Sequence, residues 1–288
     1  MRTNSRRRRR LWAVAASLVI GAGVACGYVV TGGTVTRPGL AAPTTTDNAA
    51  PAGRTSPTAK ATTPAPPPPN PTLPFNAKLT SRNIPTPDGG VRSGACSGSL
   101  IAPDWVVTAG HCFHDVNDVR TGGRPSYVMT VTVGKLKDSD PGGHTVQVVD
   151  VRQSPVNDLA VAKLSSAITD IVPVTLADAP PAVGEQLQFA GWGSLSATTL
   201  GPSDHLKRGQ FTVSRIRQST LEAQPVGQRT VENGPCPEDS GAPFFVSDDD
   251  RTGVLVAIVN TGPPCPQPGA EIIARVDVVL DWIHQQTQ

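Results

Sequence analysis

The chain has 288 residues, with 28 Gly, 29 Pro, 17% charged and 4% aromatic residues, a composition that excludes a coiled coil, a helical bundle or a polytopic membrane protein. Its net charge of +2 hides an asymmetry: residues 1–70 carry nine Lys/Arg against one Asp, for +8, leaving sixteen Lys/Arg against twenty-two Asp/Glu, for −6, in residues 71–288. So acidic a body is a poor footprint for nucleic acid, and no nucleic-acid partner is expected.

The N-terminus reads as an export segment. Arg6 to Arg10 precede Leu11–Val30, an uncharged run rich in Ala, Val, Leu and Gly. A positive flank before an apolar run is the pattern of a secretory signal. The run also approaches the ~20 residues that span a bilayer as a helix. Residues 1–35 are therefore assigned to a signal peptide or an N-terminal membrane anchor. Cleavage near Ala41-Ala42 and retention as a tether both stay open, and Cys26 within the run is read as having no role. The protein is expected to be secreted, or anchored to the outer face of the membrane.

Residues 36–74 hold eleven prolines, including Pro66 to Pro69, with many Thr and Ala. With almost no large apolar residues, such a stretch cannot offset its chain entropy by burial. It is read as a disordered spacer, extended by its prolines.

Residues 75–288 are read as the folded domain, long enough for a substantial core. Short runs rich in β-branched residues recur at Val128–Val133, Thr145–Val151, Leu159–Leu164, Leu187–Ala190, Gln210–Val213 and Val254–Val259, separated by Gly, Pro, Asp and Ser. That pattern predicts an all-β barrel or sandwich. The Asp248-Asp249-Asp250 run between two of these strands reads as a solvated hairpin turn. Val278, Val279, Trp282 and Ile283 fall at helical spacing, which predicts a C-terminal amphipathic helix over Asp277–Gln286. Outside the export segment there are four cysteines, Cys96, Cys112, Cys236 and Cys265. In an exported chain an even number points to disulfides, with three connectivities open. The absence of C-x-x-C pairs argues against a metal.

Three segments carry chemistry. Thr108-Ala-Gly-His111-Cys112 ends a short apolar strand in a small-residue turn with a histidine. Asn157-Asp158-Leu-Ala puts an acid at the mouth of an apolar strand. Glu238-Asp-Ser240-Gly-Ala-Pro frames a serine in a tight loop leading into a buried strand. A hydroxyl is a weak nucleophile at neutral pH and needs a neighbouring base. Imidazole suits that task, and a carboxylate fixes its tautomer and stabilises its cation. His114, His144, His205 and His284 lack such company and are read as ordinary surface or core residues.

These words, with Gly191-Trp192-Gly193 and Ile258-Val259-Asn260-Thr261-Gly262 before Cys265, resemble the chymotrypsin/trypsin-like serine peptidases, in a bacterial-type secreted form. The resemblance covers roughly Cys96 to Gln288. It implies two six-stranded antiparallel β-barrels with a C-terminal helix and a site in the cleft between the barrels. It implies that His111 is the general base, Asp158 its orienting acid and Ser240 the nucleophile, with the backbone N–H groups of Glu238 and Ser240 as the oxyanion hole. Gly234, Asn260 and Gly262 fall at substrate-binding positions, and the implied disulfides are Cys96–Cys112 and Cys236–Cys265. The implied activity is an exported serine endopeptidase acting on protein or peptide substrates, monomeric, with no cofactor. The alternative is an inactive homologue that binds proteins outside the cell.

Three departures from the family pattern matter. Glu238 stands where the oxyanion hole usually has glycine, so weakened activity is expected. Asn260-Thr261-Gly262 replaces Ser-Trp-Gly, with Asn260 expected to reach Asp158. No Ile-Val-Gly-Gly precedes Cys96, and Arg82-Asn83-Ile84-Pro85 is a poor substitute. Activation by a freed N-terminus is therefore not expected, and Asp239 needs another partner, with an arginine the expected one. Gly234 at the pocket-floor position removes the acid that a Lys/Arg preference needs, so a neutral residue before the scissile bond is expected.

Overall fold

The computed structural model describes residues 73–288. The expected export or anchor segment, its cleavage position, Cys26 and all but the last two residues of the expected spacer lie outside the described residues. Leu73, assigned to the spacer from sequence, is buried in the core beside Phe75.

The described chain forms thirteen strands and one short helix. The first six strands are β1 (Asn76–Pro85), β2 (Val91–Ala102), β3 (Trp105–Thr108), β4 (Val128–Val133), β5 (His144–Gln153) and β6 (Ala160–Leu164). They close into a barrel in the order β1-β2-β3-β6-β5-β4. The alternation in β4 shows why: Met129, Val131 and Val133 face inward while the residues between them are less buried, which is the period of a half-buried strand. In β6, Ala160, Val161, Ala162 and Leu164 are all buried and only Lys163 is exposed.

The remaining strands are β7 (Thr175–Leu176), β8 (Gln186–Gly191), β9 (Lys207–Ile216), β10 (Thr220–Pro225), β11 (Pro243–Val246), β12 (Val254–Thr261) and β13 (Glu271–Arg275). Six of them run β11-β8-β9-β10-β13-β12, and pairing of β11 with β12 closes this second antiparallel ring. The two-residue β7 adds to β12 in parallel. The expected pair of six-stranded barrels is thus the observed architecture. The segment Asp248-Asp249-Asp250 sits in the β11–β12 hairpin, where Arg208 pairs with Asp250.

The C-terminal helix differs from expectation at its start. Asp277–Val279 form a tighter 3-10 turn, and α1 runs Leu280–Thr287. Ile283 is its fully buried residue, so a narrow apolar stripe holds a short helix against the core. The barrels share apolar packing: Phe75 of the first meets Phe245 of β11 edge-to-face, centroids 5.4 Å apart. Polar bonds also cross the junction, including Asn157 Nδ2–H to the Arg275 carbonyl at 2.8 Å. Both disulfides, Cys96–Cys112 and Cys236–Cys265, are present.

Candidate active site

His111 sits in a 3-10 turn, Gly110–Cys112, immediately beyond β3. Asp158 lies just before β6, which pairs with β3. Ser240 lies just before β11 of the second barrel. The fold therefore delivers one side chain from each of three strand ends to the junction of the barrels.

The three groups form one row. His111 Nδ1 is 2.6 Å from Asp158 Oδ2, and His111 Nε2 is 2.7 Å from Ser240 Oγ. An ionised Asp158 accepts from Nδ1–H, which leaves Nε2 free to accept from the Ser240 hydroxyl. The His111 backbone N–H also donates to Asp158 Oδ1 at 2.9 Å, so both carboxylate oxygens hold the same residue. Burial pushes the Asp158 carboxyl up, but the bonds and charge of His111, with Arg120, outweigh it and hold the group below its ordinary value.

Arg120 is a neighbour that sequence reasoning missed. Its Nη1 lies 3.3 Å from Asp158 Oδ1 and donates to the Asn157 carbonyl at 3.2 Å. Asn260, expected to reach Asp158, makes no hydrogen bond with it and lines a cavity on the other side of Ser240. A lone arginine in a loop gives no sequence signal for this contact.

The serine loop is shaped by glycines. Gly241 has φ +83°, and a Cβ there would collide with Thr108 Oγ1 and the Ser97 carbonyl. The loop backbone is also pinned across the barrels, since Ser97 N–H donates to the Ser240 carbonyl at 2.9 Å. Glu238 takes φ +73°, the left-handed conformation that glycine adopts without penalty. The side chain therefore does not prevent the turn; it makes the turn cost of order 1–2 kcal/mol more. The N–H groups of Glu238 and Ser240 make no hydrogen bond among the described residues. Glu238 lines a second cavity with Arg92, His111 and His114. Burial pushes its carboxyl up, with the charge of Asp239 adding and the Gly201 backbone and Lys78 opposing.

Asp239 is fully buried, and its partner is a lysine, not the expected arginine. Lys207 Nζ lies 2.5 Å from Asp239 Oδ2, with neither side chain exposed. The N–H groups of Gly193 and Cys236 donate to the same carboxylate at 2.7 and 2.9 Å. Gly191 and Gly193 owe their identity to this group, because a Cβ at either would run into the Asp239 carboxylate. Arg82-Asn83-Ile84-Pro85 ends β1, with Arg82 paired to β4 and Ile84 and Pro85 paired to β2, so the chain before Cys96 is built into the first barrel.

The cavity beside Ser240 has a volume of about 200 Å³ and runs between the Cys236–Cys265 bridge and the end of β12. Gly262 and Asn260 line it. Gly234 is buried behind the wall and is not itself exposed to the cavity. The charged groups at the cavity are Arg229 and Glu271, two residues that carried no signal in the sequence.

The trypsin family model matches residues 66–283. The chain is 27% identical over 222 residues to Serine protease Hayan of Drosophila melanogaster, a match covering 66% of this chain and 34% of that protein. It is 28% identical over 212 residues to Serine protease 1 of Homo sapiens, covering 65% of this chain and 78% of that protein. Among solved structures it is similar to mouse neuropsin, a serine protease expressed in the limbic system, with a TM-score of 0.59 and 20% identity over 75% of this chain and 95% of that one. At that identity the structural likeness speaks for the fold alone. The chain thus spans about a third of the Hayan protein. These relatives are animal proteins and lend no support to the bacterial-type form expected from sequence.

Proposed function

We propose that this chain, which belongs to the trypsin family, is a serine endopeptidase that hydrolyses protein or peptide substrates through an acyl-enzyme on Ser240. The observation that carries the reading is the unbroken row Asp158–His111–Ser240, with contacts of 2.6 and 2.7 Å. In that reaction the Ser240 Oγ attacks the scissile carbonyl carbon as its proton passes to His111 Nε2. The imidazolium is stabilised by Asp158, and it then protonates the leaving amine as the C–N bond breaks. Water repeats the sequence on the ester and restores the hydroxyl. The Glu238 and Ser240 N–H groups are the proposed donors to the transient oxyanion.

The proposed setting is outside the membrane, secreted or tethered through Leu11–Val30. The Arg6–Arg10 flank and two disulfides support it, since disulfides persist in oxidising compartments. The domain is read as a monomer, with no nucleic-acid partner, no metal and no cofactor. The proposed organisation is residues 1–35 for export or anchoring, 36–74 as spacer and 75–288 as the peptidase.

Hydrolysis of an unfolded protein substrate by the full chain tests the activity. Ser240→Ala and His111→Ala should each lower turnover by about 10⁴–10⁶-fold while leaving the melting temperature close to that of the wild type. Equal, background-level hydrolysis by all three would favour the binding homologue, the reading that Glu238 supports.

A further inference from the structure

On the peptidase reading, the cavity beside Ser240 receives the substrate side chain that precedes the scissile bond. Its inner wall holds an ion pair between groups from separate parts of the second barrel. Arg229 lies in the loop after β10, and Glu271 begins β13. Arg229 Nη2 is 2.5 Å from Glu271 Oε1, and each side chain is only 2% exposed.

Two glycines make room for this pair. A Cβ on Gly234 would lie 2.8 Å from Arg229 Nε, and a Cβ on Gly262 would run into the Glu271 carboxylate. Arg229 and Glu271 thus fill the spaces that side chains at those two positions would take. Arg229 is held in place by the carbonyls of Pro235 and Gln267. Arg229 Nε makes no hydrogen bond among the described residues, and the close Nη2–Oε1 approach is a charge contact without hydrogen-bond alignment.

We propose that Arg229 and Glu271 together determine specificity, as a mutually neutralising pair that restricts cleavage to bonds following uncharged side chains. A lysine or arginine of the substrate would enter beside Arg229 and find Glu271 already matched. An aspartate or glutamate would enter beside Glu271 and find Arg229 already matched. Either way a third charge loses its water without gaining a free counter-charge, which is unfavourable in a buried site. Removing one member unmasks the other. Arg229→Ala leaves a free carboxylate and should admit basic side chains, and Glu271→Ala leaves a free guanidinium and should admit acidic ones.

The test uses the full chain and three peptides that differ only in having Val, Lys or Glu before the scissile bond. Wild type should show kcat/KM for Val at least 100-fold above Lys and Glu. Arg229→Ala should raise the Lys:Val ratio at least tenfold, and Glu271→Ala should raise the Glu:Val ratio at least tenfold. A merely structural role would lower all three rates together and leave the ratios fixed, which overturns the proposal. Labelling of Ser240 by a fluorophosphonate shows which variants are folded. If neither single variant is labelled, Arg229→Met combined with Glu271→Leu decides alongside the wild type. Preference for Val in both supports the pair, and wild-type cleavage after Lys or Glu within tenfold of Val refutes it. A wild type that neither labels nor cleaves any peptide overturns the peptidase reading itself, and this one with it.

Discussion

Lys207 and Asp239 meet at 2.5 Å with neither side chain exposed to solvent. Burial pushes the Asp239 carboxyl up, and the charge and hydrogen bond of Lys207 pull against it. Among the described residues, the residue before the serine is thereby anchored by a side chain of β9. Lys207→Met should therefore destabilise the domain by about 3–5 kcal/mol, the usual cost of breaking a buried pair. Thermal melts check this. Hydrolysis should need no freed N-terminus at the start of the barrel domain, whereas a need for one would contradict the assignment.

Glu238 carries two penalties at one position, a left-handed φ of +73° and a carboxyl on the residue whose own N–H is a proposed oxyanion donor. Glu238→Gly removes both, and Glu238→Gln removes only the charge. The glycine variant should be about 1 kcal/mol more stable. Its kcat should rise by up to about tenfold, a smaller factor than the 10²–10³ associated with losing an oxyanion donor. A glycine variant no faster than wild type would show that the carboxyl does not oppose the reaction.

Asp158 has two neighbours on its carboxylate, His111 and Arg120, and their weights should differ sharply. Asp158→Asn should lower kcat by about 10⁴, because the amide stabilises the wrong tautomer of His111. Arg120 sits at 3.3 Å with a side chain 40% exposed, where a pair contributes little. Arg120→Leu should therefore cost less than about tenfold in kcat. Equal losses would make Arg120 part of the orienting machinery.

The specificity pair should respond to pH. Burial pushes the Glu271 carboxyl up to about 7, against the pull of Arg229 and Lys207 and with Asp239 adding to the rise. Its folded value lies above its ordinary one, so the fold holds the extra proton as pH falls through 7, and Arg229 is then left unmatched. The ratio of cleavage after Glu to cleavage after Val should rise between about pH 8.5 and about pH 6, and Glu271→Gln should abolish the change. The ratio is the readout because any pH effect common to both substrates cancels. A flat ratio in wild type would contradict the assignment of Glu271.

What the sequence disclosed follows from range. Val128–Val133 reads as a strand because its pattern is local, and β4 has those bounds. His111, Asp158 and Ser240 are legible because each sits in a short word whose small neighbours are fixed by close packing, as at Gly241 against Thr108. β1 and β13 escaped notice because Asn76–Pro85 mixes polar and apolar residues and Glu271–Arg275 is too short to show a period. Lys207, Arg229, Glu271 and Arg120 were illegible for another reason. Each is an isolated charge whose partner is set by barrel closure rather than by spacing along the chain. The need of Asp239 for a counter-charge was readable, but the identity of that counter-charge was not.

The proposed hydrolysis needs Ser240 to be a hydroxyl made nucleophilic by His111. The most direct measurement is the intact mass of the full chain after exposure to a fluorophosphonate, with the modified peptide mapped. One adduct is expected, on Ser240, that disappears in both Ser240→Ala and His111→Ala. A folded wild-type chain that stays unmodified, or one modified elsewhere, would contradict it.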